Sequence, residues 1–127
     1  MARILIIDDA VFMRKMLADI LADHGHVIVG EGSSAKEAIE KFSALKPDLM
    51  TLDIEMPEES GIDSLSAVQS IMQDNPTAKI LMISSIGKQS VITQMLTAGA
   101  CDFIVKPFQQ DTILKSVCRI LGGKRSG

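Results

Sequence analysis

Ile4-Leu5-Ile6-Ile7-Asp8-Asp9 decides the fold: four aliphatic residues run without a polar break and end on two adjacent acids. A strand with one wet face alternates apolar and polar residues, whereas a continuous apolar run suits a strand covered on both faces. The same design returns in Leu49-Met50-Thr51-Leu52-Asp53, in Ile80-Leu81-Met82-Ile83-Ser84-Ser85 and in Phe103-Ile104-Val105-Lys106. Val27-Ile28-Val29 is a further short run.

Segments of helical period separate these runs. Val11–His24 brings Met13, Met16, Leu17, Ile20 and Leu21 to one side. Ser34–Ala44 carries Ala38, Ile39 and Phe42, with Ser34 and Glu37 spaced as a capping box. Ile62–Asn75 carries Leu65, Val68, Ile71 and Met72 and stops before Pro76. Lys88–Ala98, with Val91, Ile92, Met95 and Leu96, stops at Gly99, and Gln110–Leu121 carries Ile113, Leu114, Val117, Ile120 and Leu121. Strand and helix alternating five times predict an α/β domain, (βα)5, built on a doubly wound five-stranded parallel sheet. The domain is expected over residues 1–122, with 123–127 as a flexible tail or linker stump.

A chain of 127 residues is one domain's worth, and 46% apolar content marks it as globular. There is no Trp or Tyr and there are only four Phe, so the core must be aliphatic and rich in Met. That poverty, with a net charge of −3, argues against nucleic acid as a partner. Cys101 and Cys118 are too far apart for a metal-ligand pair and read as reduced thiols packed in a cytosolic core. Met1-Ala2-Arg3 leads directly into a strand, without a signal peptide or membrane span, so a soluble cytoplasmic protein is expected.

In an open parallel sheet, groups just past the strand ends meet in one crevice. Alone, an acid after a strand is as readily a turn residue or helix cap, Ser84 a cap, and Lys106 a solvated cation. Together Asp8, Asp9, Asp53, Ser84 and Lys106 fall on one edge of the sheet, which accident explains poorly. Converging carboxylates call for a divalent cation, and Mg2+ takes carboxylate, carbonyl and water oxygens. Asp9 and Asp53 can supply direct oxygens, a backbone carbonyl near Glu55 a third, and Asp8 can hold a metal-bound water. An Asp carboxylate can also attack phosphorus and form an acyl phosphate. The phosphoryl oxygens would then meet the metal, Lys106, and the Ser84 hydroxyl with backbone N–H groups.

Ile7-Asp8-Asp9, Asp53-Ile54-Glu55-Met56-Pro57 with Gly61, Ser84-Ser85 and Lys106-Pro107-Phe108 occur in one order across the chain. Over about Ala2 to Gly122 this set resembles the response-regulator receiver domain, most closely stand-alone chemotaxis regulators of the CheY type. The resemblance implies the flavodoxin-like, CheY-like form of the fold, with Asp53 as phosphoacceptor from the phosphohistidine of a histidine kinase. It implies a Mg2+ site of Asp8, Asp9, Asp53 and the Glu55 carbonyl, with Ser84 and Lys106 sensing the phosphoryl group. Phe103 corresponds to a switch aromatic that alters the face of the fourth helix, fifth strand and fifth helix. The Lys106–Pro107 bond would be cis. Such a protein is a phosphoacceptor rather than an enzyme with substrate turnover, catalysing only its own phosphotransfer and dephosphorylation. It would be monomeric, and its output partner would be a flagellar-motor switch component or adaptor, with a phosphatase as a further partner. Ser60, where the family more often has Asp or Asn, departs from the pattern. Glu55 and Ile86 occupy variable positions that tune dephosphorylation in the family.

Other readings weigh less. Ile71–Pro76 and Ser84-Ser85 also resemble receivers attached to chemotaxis methylesterases, which leaves a domain cut from a multidomain regulator, methylesterase or DNA-binding, as an alternative. A flavodoxin-type electron carrier would need a phosphate-cradling loop where Asp8-Asp9 stand, and aromatics to sandwich its flavin. A haloacid-dehalogenase-type phosphatase would carry its nucleophile after the first strand, not the third.

Overall fold

A computed structural model describes residues 1–122, so the tail expected over 123–127 lies outside the described residues. Five strands and five helices alternate in chain order. The strands are β1 (Arg3–Ile7), β2 (Val27–Gly32), β3 (Leu49–Leu52), β4 (Ile80–Ser84) and β5 (Asp102–Val105). The helices are α1 (Val11–Asp23), α2 (Ala35–Leu45), α3 (Ser64–Asp74), α4 (Gln89–Ala98) and α5 (Gln110–Ile120). All pairings are parallel, in the order β2-β1-β3-β4-β5. The chain leaves β1 toward one edge and returns as β3 on the other side of it, so the sheet's switch point lies between β1 and β3.

The apolar runs fill two cores by simple alternation along each strand. Leu5, Ile7, Met50, Leu52, Ile80 and Met82 face α2, α3 and α4, meeting Phe42, Val68, Ile71 and Met95. Ile4, Ile6, Leu49, Leu81 and Ile83 face α1 and α5, meeting Leu17, Leu21, Ile113 and Val117. Each fully buried Leu, Ile or Met side chain contributes about 1.5–3 kcal/mol. α4 is the exception among the helices, because only Met95 of it is buried. Leu96, expected on its apolar side, is exposed.

Two boundaries and one cap differ from expectation for local reasons. β2 continues past Val29 to Gly32, with a register shift opposite Ile4 and Leu5. A Cβ at Gly30 would lie 2.7 Å from Leu45 Cδ1, so the strand's glycine gives α2 room to approach. α3 begins at Ser64 rather than Ile62, because Asp63 caps it by accepting from the Ser66 N–H at 2.8 Å. Ser34 does cap α2, accepting from Glu37 N at 3.1 Å, but Glu37 Oε1 reaches back to Ser33 N at 2.7 Å rather than to Ser34.

The thiols correct the expectation of a buried pair, for both Cys101 and Cys118 are exposed. Cys101 sits in the turn before β5, and Cys118 follows Val117, whose side chain takes the sheet-facing position on α5. Among the described residues no helix is long and apolar enough to cross a membrane.

Candidate functional site

Asp8 and Asp9 follow β1 and Asp53 follows β3, so the switch point delivers all three acids to one place. One carboxylate oxygen from each lies within 4.8 Å of the others. Asp8 and Asp53 are buried and Asp9 is exposed, which leaves the cluster open on one side. Lys106 follows β5 and reaches across, with Nζ 2.9 Å from Asp8 Oδ2 and 3.7 Å from Asp53 Oδ2. The Lys106–Pro107 bond is cis, as expected from the resemblance.

Main-chain donors fix the acids. Asp53 N donates to Ile7 O at 3.1 Å, and Asp53 Oδ1 accepts from Glu55 N at 3.1 Å. Asp8 Oδ1 accepts from Ala10 N at 2.9 Å, so Asp8 stabilises its own turn while Oδ2 serves Lys106. Beneath the site, Ser64 Oγ donates to Asp53 O at 2.7 Å and ties the start of α3 to the end of β3.

Charge is poorly tolerated here. Burial pushes the Asp53 carboxyl above its ordinary range; Asp8 adds to the rise, while the Glu55 N–H and Lys106 oppose it. Lys106 shows the reverse balance. Burial favours its neutral amine, but the Asp8 hydrogen bond and the Asp53 charge outweigh burial and raise its pKa. Two buried carboxylates against one ammonium leave an excess of negative charge, and an oxygen-rich donor set of this kind fits a hard divalent cation such as Mg2+.

The wall formed after β4 holds a contact that the sequence did not suggest. Glu55 Oε1 accepts from Ser85 N at 3.1 Å, from Ser84 Oγ at 3.4 Å and from Ser85 Oγ. The Ser85 hydroxyl is the main reason that the Glu55 carboxyl titrates below its ordinary range. Ser84 is fully buried and also accepts from Ile86 N at 3.1 Å, so it acts as a turn residue as well. Phe103 is half-buried and packs against the core facing α2–α4. Phe12, in the first turn of α1 after the acids, is 74% exposed, whereas Met13 packs inward.

Arg14 was also unforeseen in the sequence. Its Nη1 donates to Asp8 O at 2.7 Å and its Nε to Glu31 Oε1 at 3.0 Å. The available signal was its place one turn into the helix that follows the acids, where a cation can fold back onto the turn.

A family model described as "Response regulator receiver domain" matches residues 4–118. A curated chemotaxis protein CheY from Thermotoga maritima is 46% identical over 93% of this chain and 96% of its own length. The Bacillus subtilis CheY is 45% identical over 94% of this chain and 97% of its own length. Among solved structures, the CheX-CheY-BeF3-Mg complex from Borrelia burgdorferi contains a chain with TM-score 0.87 and 33% identity, covering 93% of this chain and 87% of that one. The response regulator domain of Thermotoga maritima CheB has TM-score 0.85 and 32% identity, with coverage of 94% and 96%.

Proposed function

The chain belongs to the response regulator receiver family, and from that premise we propose that it is a phosphorylation-activated receiver of chemotaxis signalling. Its reaction is the transfer of one phosphoryl group from a histidine kinase onto Asp53. The carboxylate attacks phosphorus, the P–N bond of the phosphohistidine breaks, and the imidazole leaves. The observation that carries this reading is the convergence of three carboxylates within 4.8 Å beside the Lys106 ammonium. No flavin phosphate would sit where Asp8 and Asp9 stand, so the electron-carrier alternative is not favoured.

The roles divide by chemistry. Asp8, Asp9, Asp53 and the Glu55 carbonyl would hold Mg2+, which would supply charge neutralisation to the transferring group. Lys106 offers its ammonium to a second phosphoryl oxygen, and Ser84 its hydroxyl to a third. Since Glu55 now holds the Ser84 and Ser85 donors, an incoming phosphoryl group competes with that carboxylate for them. The change passes through Ser84 to Phe103 and to the surface of α4, β5 and α5. On the β5–α5 part of that surface a groove of about 490 Å³ is lined by Phe103, Val105, Pro107, Phe108 and Thr112, among others. A motor switch component or adaptor docks on this face, and a phosphatase ends the signal. The protein acts as a cytoplasmic monomer without substrate turnover beyond its own phosphotransfer and dephosphorylation.

Intact-mass measurement after incubation with acetyl phosphate and Mg2+ tests the reading. Wild type is expected to gain one phosphoryl group and Asp53→Asn none. Equal labelling of Asp53→Asn would remove Asp53 from its role, and an unlabelled wild type would remove the function.

A further inference from the structure

Asp8 and Asp9 sit on a turn, and a turn is a soft support for a metal ligand. Strand pairing holds its inner end, because Asp8 N donates to Gly32 O at 3.0 Å. The Asp8 carbonyl points the other way and is taken by Arg14 Nη1 at 2.7 Å. The guanidinium is itself fixed by Glu31 Oε1 at 3.0 Å, and its side chain is only 18% exposed. Glu31 belongs to edge strand β2, whose Glu31 carbonyl is in turn held by Lys41 Nζ from α2. A continuous chain of charge-assisted bonds thus runs from α2 through β2 and α1 to the backbone of the acidic turn.

We propose that Arg14, locked by Glu31, is a positioning residue that fixes the Asp8-Asp9 turn for Mg2+ binding. This rests on the reading that the three acids hold Mg2+. A planar guanidinium suits the task, since it donates to a carbonyl and a carboxylate at once with a fixed angle between them. Groups that orient metal ligands from behind commonly change metal affinity by about 10–100-fold when removed.

The sign of the effect separates positioning from simple charge. Removing a cation beside three carboxylates would, by Coulomb attraction alone, tighten the binding of another cation. Positioning predicts the opposite. It also predicts a bias between ions, because Mg2+ demands near-octahedral geometry while Ca2+ accepts irregular shells.

Titration of the full chain with Mg2+ and with Ca2+, followed by amide NMR well below the melting temperature, tests this. Arg14→Met is expected to weaken Mg2+ by roughly tenfold or more and Ca2+ by less. Arg14→Lys, which keeps the charge but not the fork, should fall between Arg14→Met and wild type. The exchanged pair Arg14→Glu with Glu31→Arg keeps the two charges facing each other, yet moves the guanidinium off the helix. It should stay weak for Mg2+. Unchanged or tighter Mg2+ binding in Arg14→Met, or full recovery in the exchanged pair, would overturn the proposal. A wild type that binds no Mg2+ would instead overturn the metal reading on which it rests.

Discussion

Asp53 carries its charge where burial disfavours it, so the group expected to do the chemistry also weakens the metal-free fold. Its carboxyl pKa is raised by burial and by Asp8 above 3.8, the ordinary value for an Asp and that of the unfolded chain. A raised acid favours the protonated form in the fold. The resulting penalty is absent below the unfolded value, grows as pH rises from there through the folded value, and is full above it. Asp53→Asn should therefore melt higher than wild type in chelator at pH 7, with an advantage that shrinks as the buffer is acidified toward the unfolded value. Added Mg2+ should raise the melting point of wild type more than that of the variant. Thermal melts across pH, with and without Mg2+, give the check; a lower neutral melting point for Asp53→Asn in chelator would contradict the electrostatics. The chemistry-bearing residues were legible as strand-end groups because a parallel sheet sends every strand end to one side. Arg14 was not, since nothing in a lone Arg on a helix tells which carbonyl it will meet. Nor was the Glu55 side chain, whose partners Ser84 and Ser85 lie 29 and 30 residues away.

The elements show how far pattern reading reaches. Strands β1, β3 and β4 were read closely, because burial on both faces leaves an unbroken apolar signature. Edge strand β2 was cut short, since Gly30-Glu31-Gly32 reads as a loop until the closeness of Leu45 explains the glycine. The junction of α4 and β5 is a second place where a missing side chain matters. Gly99 ends α4 with φ +125°, and a Cβ there would lie 2.7 Å from Met72 Cγ on α3. Gly25, after α1, also has positive φ (+88°), but a Cβ there would meet nothing within 4 Å. Gly99→Ala should cost about 1–3 kcal/mol, and more than Gly25→Ala, because strain and crowding combine only at Gly99. Chemical denaturation of both variants measures the difference; equal costs would mean that Met72 yields freely.

Across the whole molecule, the proposed switch links a buried hydroxyl to a thinly anchored helix. Ser84 is fully buried, Phe103 half-buried, and α4 holds to the sheet mainly through Met95. Phosphoryl contacts that exist in only one state bias an equilibrium by their differential strength. In wild type, phosphorylation with acetyl phosphate is expected to shift the NMR signals of the Phe103 ring and the Met95 methyl. In Ser84→Ala, Asp53 should still be labelled while those distant shifts shrink severalfold. Undiminished shifts in that variant would disconnect Ser84 from the relay. The anchoring pattern also has a mechanical consequence. The proposed acceptor follows β3, which is buried throughout at the centre of the sheet, so the β3 amides are expected to exchange only when the whole domain opens. The proposed readout includes α4, of which only Met95 is buried, so its amides are expected to exchange by local opening. In the proposed switch the message is thus written on a fully buried strand and displayed on the helix with the thinnest buried anchor, so that it never has to bend the frame that carries it.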